Sequence, residues 1–176
     1  RVCAVMQGKS SNYDTDVFMP IIKKIAQTVG KEYTSNLDSP TDIAMRVIAD
    51  HIRMLTFSIT DGAVPGNEGR GYVLRRIIRR AARFGRNLGM REPFIYQITS
   101  AVVESMGKAF PEIVEKQSHV ERVVRSEEES FNATLDRGLE ISRRLAALHT
   151  FTPTRATDSM TCWSILLDAP ALRSRT

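Results

Sequence analysis

Between Arg70 and Arg91 the chain carries eight arginines, at positions 70, 75, 76, 79, 80, 83, 86 and 91, with no lysine, aspartate or glutamate among them. A guanidinium is permanently charged, planar and forked, a shape that meets the oxygens of a phosphate two at a time. Just ahead of this run, Gly66, Gly69 and Gly71 surround Asn67 in a loop, Ala63–Gly71, that also holds Pro65. Glycines there permit positive φ or a close backbone approach. The Asn67 amide can donate and accept at once, so it can read a base edge, or it can simply satisfy the turn in which it sits. Residue type alone favours the turn.

Leu74, Ile77, Ile78, Ala81, Gly85 and Leu88 recur at helical steps. They predict a helix anchored by that face and showing its arginines on the other. Such a stripe suits a phosphate backbone. A merely solvated face usually mixes both signs, and an acidic partner docked on a helical protein-interaction module is the alternative use of the same surface. The net charge is +5, yet residues 70–91 carry +8 while residues 111–140 carry eight acids against four bases. That segregation argues for one oriented basic surface.

No stretch alternates with the period of a strand, so an all-α helical bundle is expected to carry this helix. Arg1–Gln7 reads as the end of an element whose beginning is missing, closed at Gly8. Asp14 is expected to N-cap a helix with Asp16 in its first turn, Phe18, Ile21, Ile22, Ile25 and Val29 as its apolar stripe, and Gly30 as its stop. Ser39-Pro40-Thr41-Asp42 opens another, with Ser39 as N-cap and Asp42 returning the capping bond. Met45, Ile48, Ile52, Leu55 and Ile59 form its buried row, while Arg46, Asp50 and Arg53 are spaced for ion pairs. His51 flanks that row as a half-buried core residue, not a catalytic one. Glu92-Pro93 starts a helix that turns Ile95, Ile98, Val102 and Met106 inward. One long helix is expected from Pro111 to about Leu148, with Val120, Val124, Phe131 and Leu135 as its seam and Glu127, Glu128 and Glu129 on its exposed flank. Thr150–Thr176, rich in Thr, Ser and Arg around an apolar knot at Cys162 and Trp163, is expected to be an irregular tail.

Cys3 and Cys162 are isolated and lack metal spacing, which fits a reducing, cytoplasmic setting. Neither signal-peptide regions nor a membrane-length apolar run stands out; an organellar home is equally compatible.

Several separated segments, in order, resemble the alanyl-tRNA synthetases: Arg1–Phe18 (RVCAVMQGKSSNYDTDVF), Arg46–Arg53 (RVIADHIR), Asn67–Ala81 (NEGRGYVLRRIIRRA), Ser126–Phe131 (SEEESF) and Thr134–Leu139 (TLDRGL). The resemblance covers about Arg1 to Glu140. It implies a class II ligase that joins alanine to ATP, with Mg2+, as an adenylate and then transfers the alanyl group to the tRNA 3′ end. It also implies a division of the chain: 1–11 as the C-terminal end of the aminoacylation fold, 12–148 as the helical tRNA-recognition domain, and 149–176 as a tail unlike the family.

On that plan Arg1 matches the arginine that closes the third class motif and binds ATP phosphate. Asn67 matches the residue that reads the G·U pair of the tRNA acceptor stem, which reverses the bland reading of its amide. Arg70, Arg75, Arg76, Arg79, Arg80 and Arg83 become candidates for tRNA phosphate contacts, of which at least two are expected to pack or pair internally instead. The first two class motifs, the editing domain and the later LYDTYG-like run with its Asp are not in this sequence. The resemblance therefore implies that this chain alone neither holds the cofactors nor aminoacylates, and that it departs from the family at its tail.

Overall fold

The computed structural model describes residues 1–148. Among them are α1 (Val2–Met6), a 3-10 turn (Asn12–Asp14), α2 (Met19–Val29), α3 (Pro40–Thr60), α4 (Gly69–Asn87), α5 (Ile95–Met106), α6 (Pro111–Glu115) and α7 (Gln117–Leu148), and no strand. The chain falls into two compact units, Arg1–Arg137 and Gly138–Thr176. The core and the candidate site belong to the first. The expected tail, with Cys162 and Trp163, lies outside the described residues.

The all-α reading holds, and its apolar rows are where the core sits. α3 packs against α2, α4, α5 and α6, and α2 also packs on α5. From α3, Met45, Ile48, Ile52, Leu55 and Ile59 are all buried; they meet Ile21, Ile22 and Ile25 of α2, Leu74, Ile78 and Ala81 of α4, and Ile95, Ile98 and Val102 of α5. Val120 and Val124 of α7 complete the cluster, with Phe131 packed at its edge. Burying a side chain of this size contributes about 1.5–3 kcal/mol. The interlocking rows therefore fix how α4 is rolled, and with it which way its arginines face.

Several local expectations fail for identifiable reasons. Asp14 does not cap α2; it ends the 3-10 turn, and its Oδ1 accepts from Tyr33 Oη at 3.1 Å and Ser35 Oγ at 3.2 Å. α2 starts later, at Met19, and stops as expected at Gly30, whose φ of 69° is left-handed. Ser39 caps α3 by accepting from Asp42 N–H at 3.4 Å. Asp42 does not return that bond. Its carboxylate, 1% exposed, accepts instead from Thr34 N–H, Thr34 Oγ1 and Asn36 N–H at 2.8–3.1 Å, pinning the 34–36 loop to the helix start.

Arg46 and Arg53 do not pair with Asp50 either. Arg46 donates to Tyr33 Oη and Asn36 O, and the Arg53 guanidinium lies over the Phe18 ring at 4.6 Å. Short surface ion pairs are weak, and partly buried acceptors and rings outcompete them here. His51 is half-buried as expected. Its Nδ1 stands 3.6 Å from Asp50 Oδ2, and burial lowers its pKa, Asp50 opposing and Arg80 adding to the effect.

α5 begins at Ile95, two residues after Pro93. The single long helix is instead two, broken at Lys116, whose Nζ donates to Thr60 O at 2.8 Å and so closes the C-terminal end of α3. The three glutamates are not one exposed flank. Glu127 is half-buried, Glu128 is 1% exposed, and only Glu129 is exposed.

Candidate nucleic-acid interface

The loop before α4 is shaped by two of its three glycines. Gly69 has φ of 54°, and a Cβ on Gly71 would stand 2.6 Å from Val64 O and 2.9 Å from Gly66 N, so the loop backbone lies directly on the start of the helix. Gly66 needs neither freedom. The loop is shorter than expected because the helix takes in Gly69–Gly71. Pro65 is buried beneath it, while Asn67, Glu68, Gly69 and Arg70 are all exposed at its tip.

α4 itself is amphipathic as read from the sequence. Leu74, Ile78, Ala81, Ala82 and Gly85 face inward, and Gly85 lets the Phe94 ring sit where a Cβ would otherwise be. The expected arginines divide into distinct fates. Arg70, Arg76, Arg79 and Arg80 are exposed, Arg75 and Arg83 are half-buried. Arg76 leans over the Tyr72 ring one turn earlier at 5.7 Å, and Arg79 over Phe131 of α7 at 5.8 Å. Neither contact neutralises a charge, so both guanidinium groups keep their donors for a partner.

Arg75 is engaged internally. Its Nε and Nη2 donate to the two carboxylate oxygens of Glu127 at 3.1 and 2.8 Å, and its Nη1 donates to Asn67 Oδ1. At the far end of the helix, Arg86 donates to Asn132 Oδ1 at 3.4 Å and pairs with Asp136 at 3.0 Å. Among the candidate residues, Arg75 thus pairs within the protein and Arg76 and Arg79 pack on its rings. The sequence reading missed Glu127, Asn132 and Asp136 as fasteners. The last two stand four residues apart on α7, a pattern that was visible, but nothing nearby marked their shared partner 46 and 50 residues upstream.

Glu128 holds a different helix. It accepts from Phe94 N–H at 3.1 Å and Ile95 N–H at 3.0 Å, capping the first turn of α5. Burial raises its pKa to about 7 against the opposing pull of those two donors, with Glu129 adding to the rise. α7 thereby seats α4 and α5 together.

Arg1 stands apart from this surface. It is exposed before α1 and borders an open cleft of about 300 Å³ with Asn12, Tyr13, Asp50 and Arg53.

A helical unit displaying a row of unneutralised arginines beside an exposed amide has the make-up of an RNA-facing surface. The family described as tRNA synthetases class II (A) matches residues 1–160, and the chain belongs to that family of class II tRNA synthetases. Among its relatives are the alanine–tRNA ligases of Chlorobium phaeobacteroides, 59% identical over 147 residues, and of Chlorobaculum tepidum, 58% identical over 147 residues; each match covers 84% of this chain and 17% of the relative. The alanine–tRNA ligase of Chlorobium phaeovibrioides is 58% identical over 141 residues, or 80% of this chain and 16% of that one. The expected kinship with the alanyl-tRNA synthetases is borne out, and the chain spans about a sixth of their length. No helix among the described residues is long and apolar enough to cross a membrane.

Proposed function

We propose that this chain is the acceptor-stem-binding part of an alanyl-tRNA synthetase, an ATP-dependent ligase of alanine and tRNA, with residues 12–148 as its recognition domain. The observation that carries the reading is the exposed row Arg70, Arg76, Arg79 and Arg80 beside an exposed Asn67 on one helix and the loop before it. Arginines four apart on a helix stand about 5–6 Å from each other, close enough for Arg76 and Arg80 to follow one strand of a backbone. Such contacts set register without reading sequence. Arg83, half-buried on the same helix, extends the row toward its far end. Asn67 reads the G·U pair through the wide, shallow minor groove of an RNA helix, where an amide can donate and accept together.

The cofactor part of the reading is narrower. Arg1 suits a contact to one ATP phosphate. Arg53, the second guanidinium at that cleft, lies over Phe18, and the Asp50 carboxylate stands among them. The described residues fit a phosphate contact and not a full nucleotide pocket. Among them no group of three or more His, Cys, Asp or Glu side chains is placed to hold a metal ion such as Mg2+. In the intact enzyme ATP supplies the activation of the alanine carboxylate.

The test is binding of this chain to an acceptor-stem RNA hairpin across a salt series. Binding should weaken steeply with salt, and replacing both Arg76 and Arg80 by alanine should lower the log–log slope by about two. An unchanged affinity in that double variant would refute the reading and favour an acidic protein partner for the same stripe.

A further inference from the structure

We propose that Arg75 is a positioning residue for Asn67, and that Glu127 on α7, by gripping Arg75, sets how the tip amide is presented to RNA. The proposal rests on the reading of Asn67 given above and removes Arg75 from the phosphate contacts. All three guanidinium nitrogens are committed: Nε and Nη2 to the Glu127 carboxylate at 3.1 and 2.8 Å, and Nη1 to Asn67 Oδ1. The side chains of Arg75 and Glu127 are 22% and 19% exposed, so the pair is shielded, its charge compensated, and its two-point geometry fixed by the planar fork.

A consequence follows for the amide. A guanidinium has only donors and no acceptor. Arg75 can therefore hold Asn67 by the carbonyl oxygen alone, and the amide NH2 is turned away from it. An asparagine on a glycine-rich tip would otherwise sample both faces, and half of its orientations would offer the wrong group to the RNA. With its polarity fixed, the amide presents two donors and the second lone pair of Oδ1. Arg75 sits within α4 and Glu127 within α7, so the orientation is inherited from two packed helices and not from the loop. Residues 52 apart in sequence thereby set one functional group.

Lysine at position 75 keeps the charge but has no fork; it can satisfy Glu127 or Asn67, not both in this geometry. Glutamine at 127 keeps the shape but loses the ionic grip, which frees Arg75 to swing toward a phosphate.

Affinities of the chain and of Asn67→Ala, Arg75→Lys, Glu127→Gln and the double variant Asn67→Ala/Arg75→Lys are measured for two hairpins that differ only in G·U against G·C at the recognised pair. Circular dichroism confirms that each variant is folded. The chain should prefer G·U, by about tenfold or more for one well-placed base contact, and Asn67→Ala should erase that preference. Arg75→Lys should cut it nearly as far while leaving affinity for the G·C hairpin within about twofold. Glu127→Gln should also cut it, with a salt slope steeper by about one, as Arg75 becomes an added phosphate contact. In the double variant the lysine should cost nothing further, because it acts only through Asn67. Full preference retained in Arg75→Lys, with Asn67→Ala having lost it, overturns the positioning role and leaves the base-reading role standing. No preference in the starting chain, or none lost in Asn67→Ala, overturns the base-reading role and the proposal with it.

Discussion

Replacing Glu128 by glutamine keeps an acceptor for the first turn of α5 and removes the ability to ionise, which isolates one term in the pH dependence of the fold. The native carboxyl is 1% exposed, with two backbone N–H donors at 3.1 and 3.0 Å. The positive end of a helix favours the anion, but burial outweighs it and the pKa moves from its ordinary 4.5 to about 7. A group whose folded pKa exceeds its unfolded one stabilises the fold fully below the unfolded value, and that contribution is lost as pH rises through the folded value. At about 1.4 kcal/mol per tenfold change in proton affinity, the interval from 4.5 to about 7 amounts to about 3 kcal/mol. Urea unfolding followed by circular dichroism at about pH 5 and about pH 8 reads most of that interval. The native chain should lose about 2–3 kcal/mol more than Glu128→Gln between those conditions. His51, whose pKa burial lowers, acts in the opposite sense but is common to both proteins, so the difference belongs to Glu128. Equal pH dependence in the two would refute the argument.

Two further perturbations test how the interface is held. Asp42→Ala leaves Thr34 N–H, Thr34 Oγ1 and Asn36 N–H without their shared acceptor. It should cost about 2–4 kcal/mol in urea unfolding, since donors orphaned away from water are expensive. Gly71→Ala puts a Cβ 2.6 Å from Val64 O and 2.9 Å from Gly66 N, both backbone atoms that cannot step aside singly. A loss of about 1–3 kcal/mol is expected, together with weaker hairpin preference as the Asn67 loop lifts from the helix; a thermal melt and the two-hairpin comparison read the two effects separately.

The inward rows were legible because burial and periodicity are the same fact seen twice: Ile48, Ile52, Leu55, Leu74, Ile78, Ile98 and Val102 needed no knowledge of their neighbours to be placed inside. The Ser39 cap and the Gly30 stop were legible for a similar reason, since each acts within a turn of its own helix. The exposed arginines followed from the apolar face opposite them. What stayed hidden were partnerships between distant segments. Nothing in the letters near Asp14 says that Tyr33 and Ser35 will claim it, and nothing near Arg75 points to Glu127. The break at Lys116 has no glycine or proline to announce it; it follows from the docking of Lys116 on the end of α3. For the candidate interface, sequence placed the arginines on one side of one helix, but only packing decided which of them remain available.

Three identical letters in a row, Glu127-Glu128-Glu129, meet three unlike surroundings. The first grips Arg75, the second receives the backbone of Phe94 and Ile95, and the third bonds Arg125 at 2.8 Å in the open. Consecutive residues of a helix diverge by about 100°, so the triplet works as a key with differently cut teeth. Turning α7 by one residue in one sense would bring Glu128 and Glu129 to the two locks; in the other it would leave Ser126 opposite Arg75 and Glu127 at the start of α5. With α7 held upstream by Val120 and Val124, a single neutral residue inserted just before Glu127 would leave the net charge untouched, yet it would take the carboxylate from Arg75 while the start of α5 still met one.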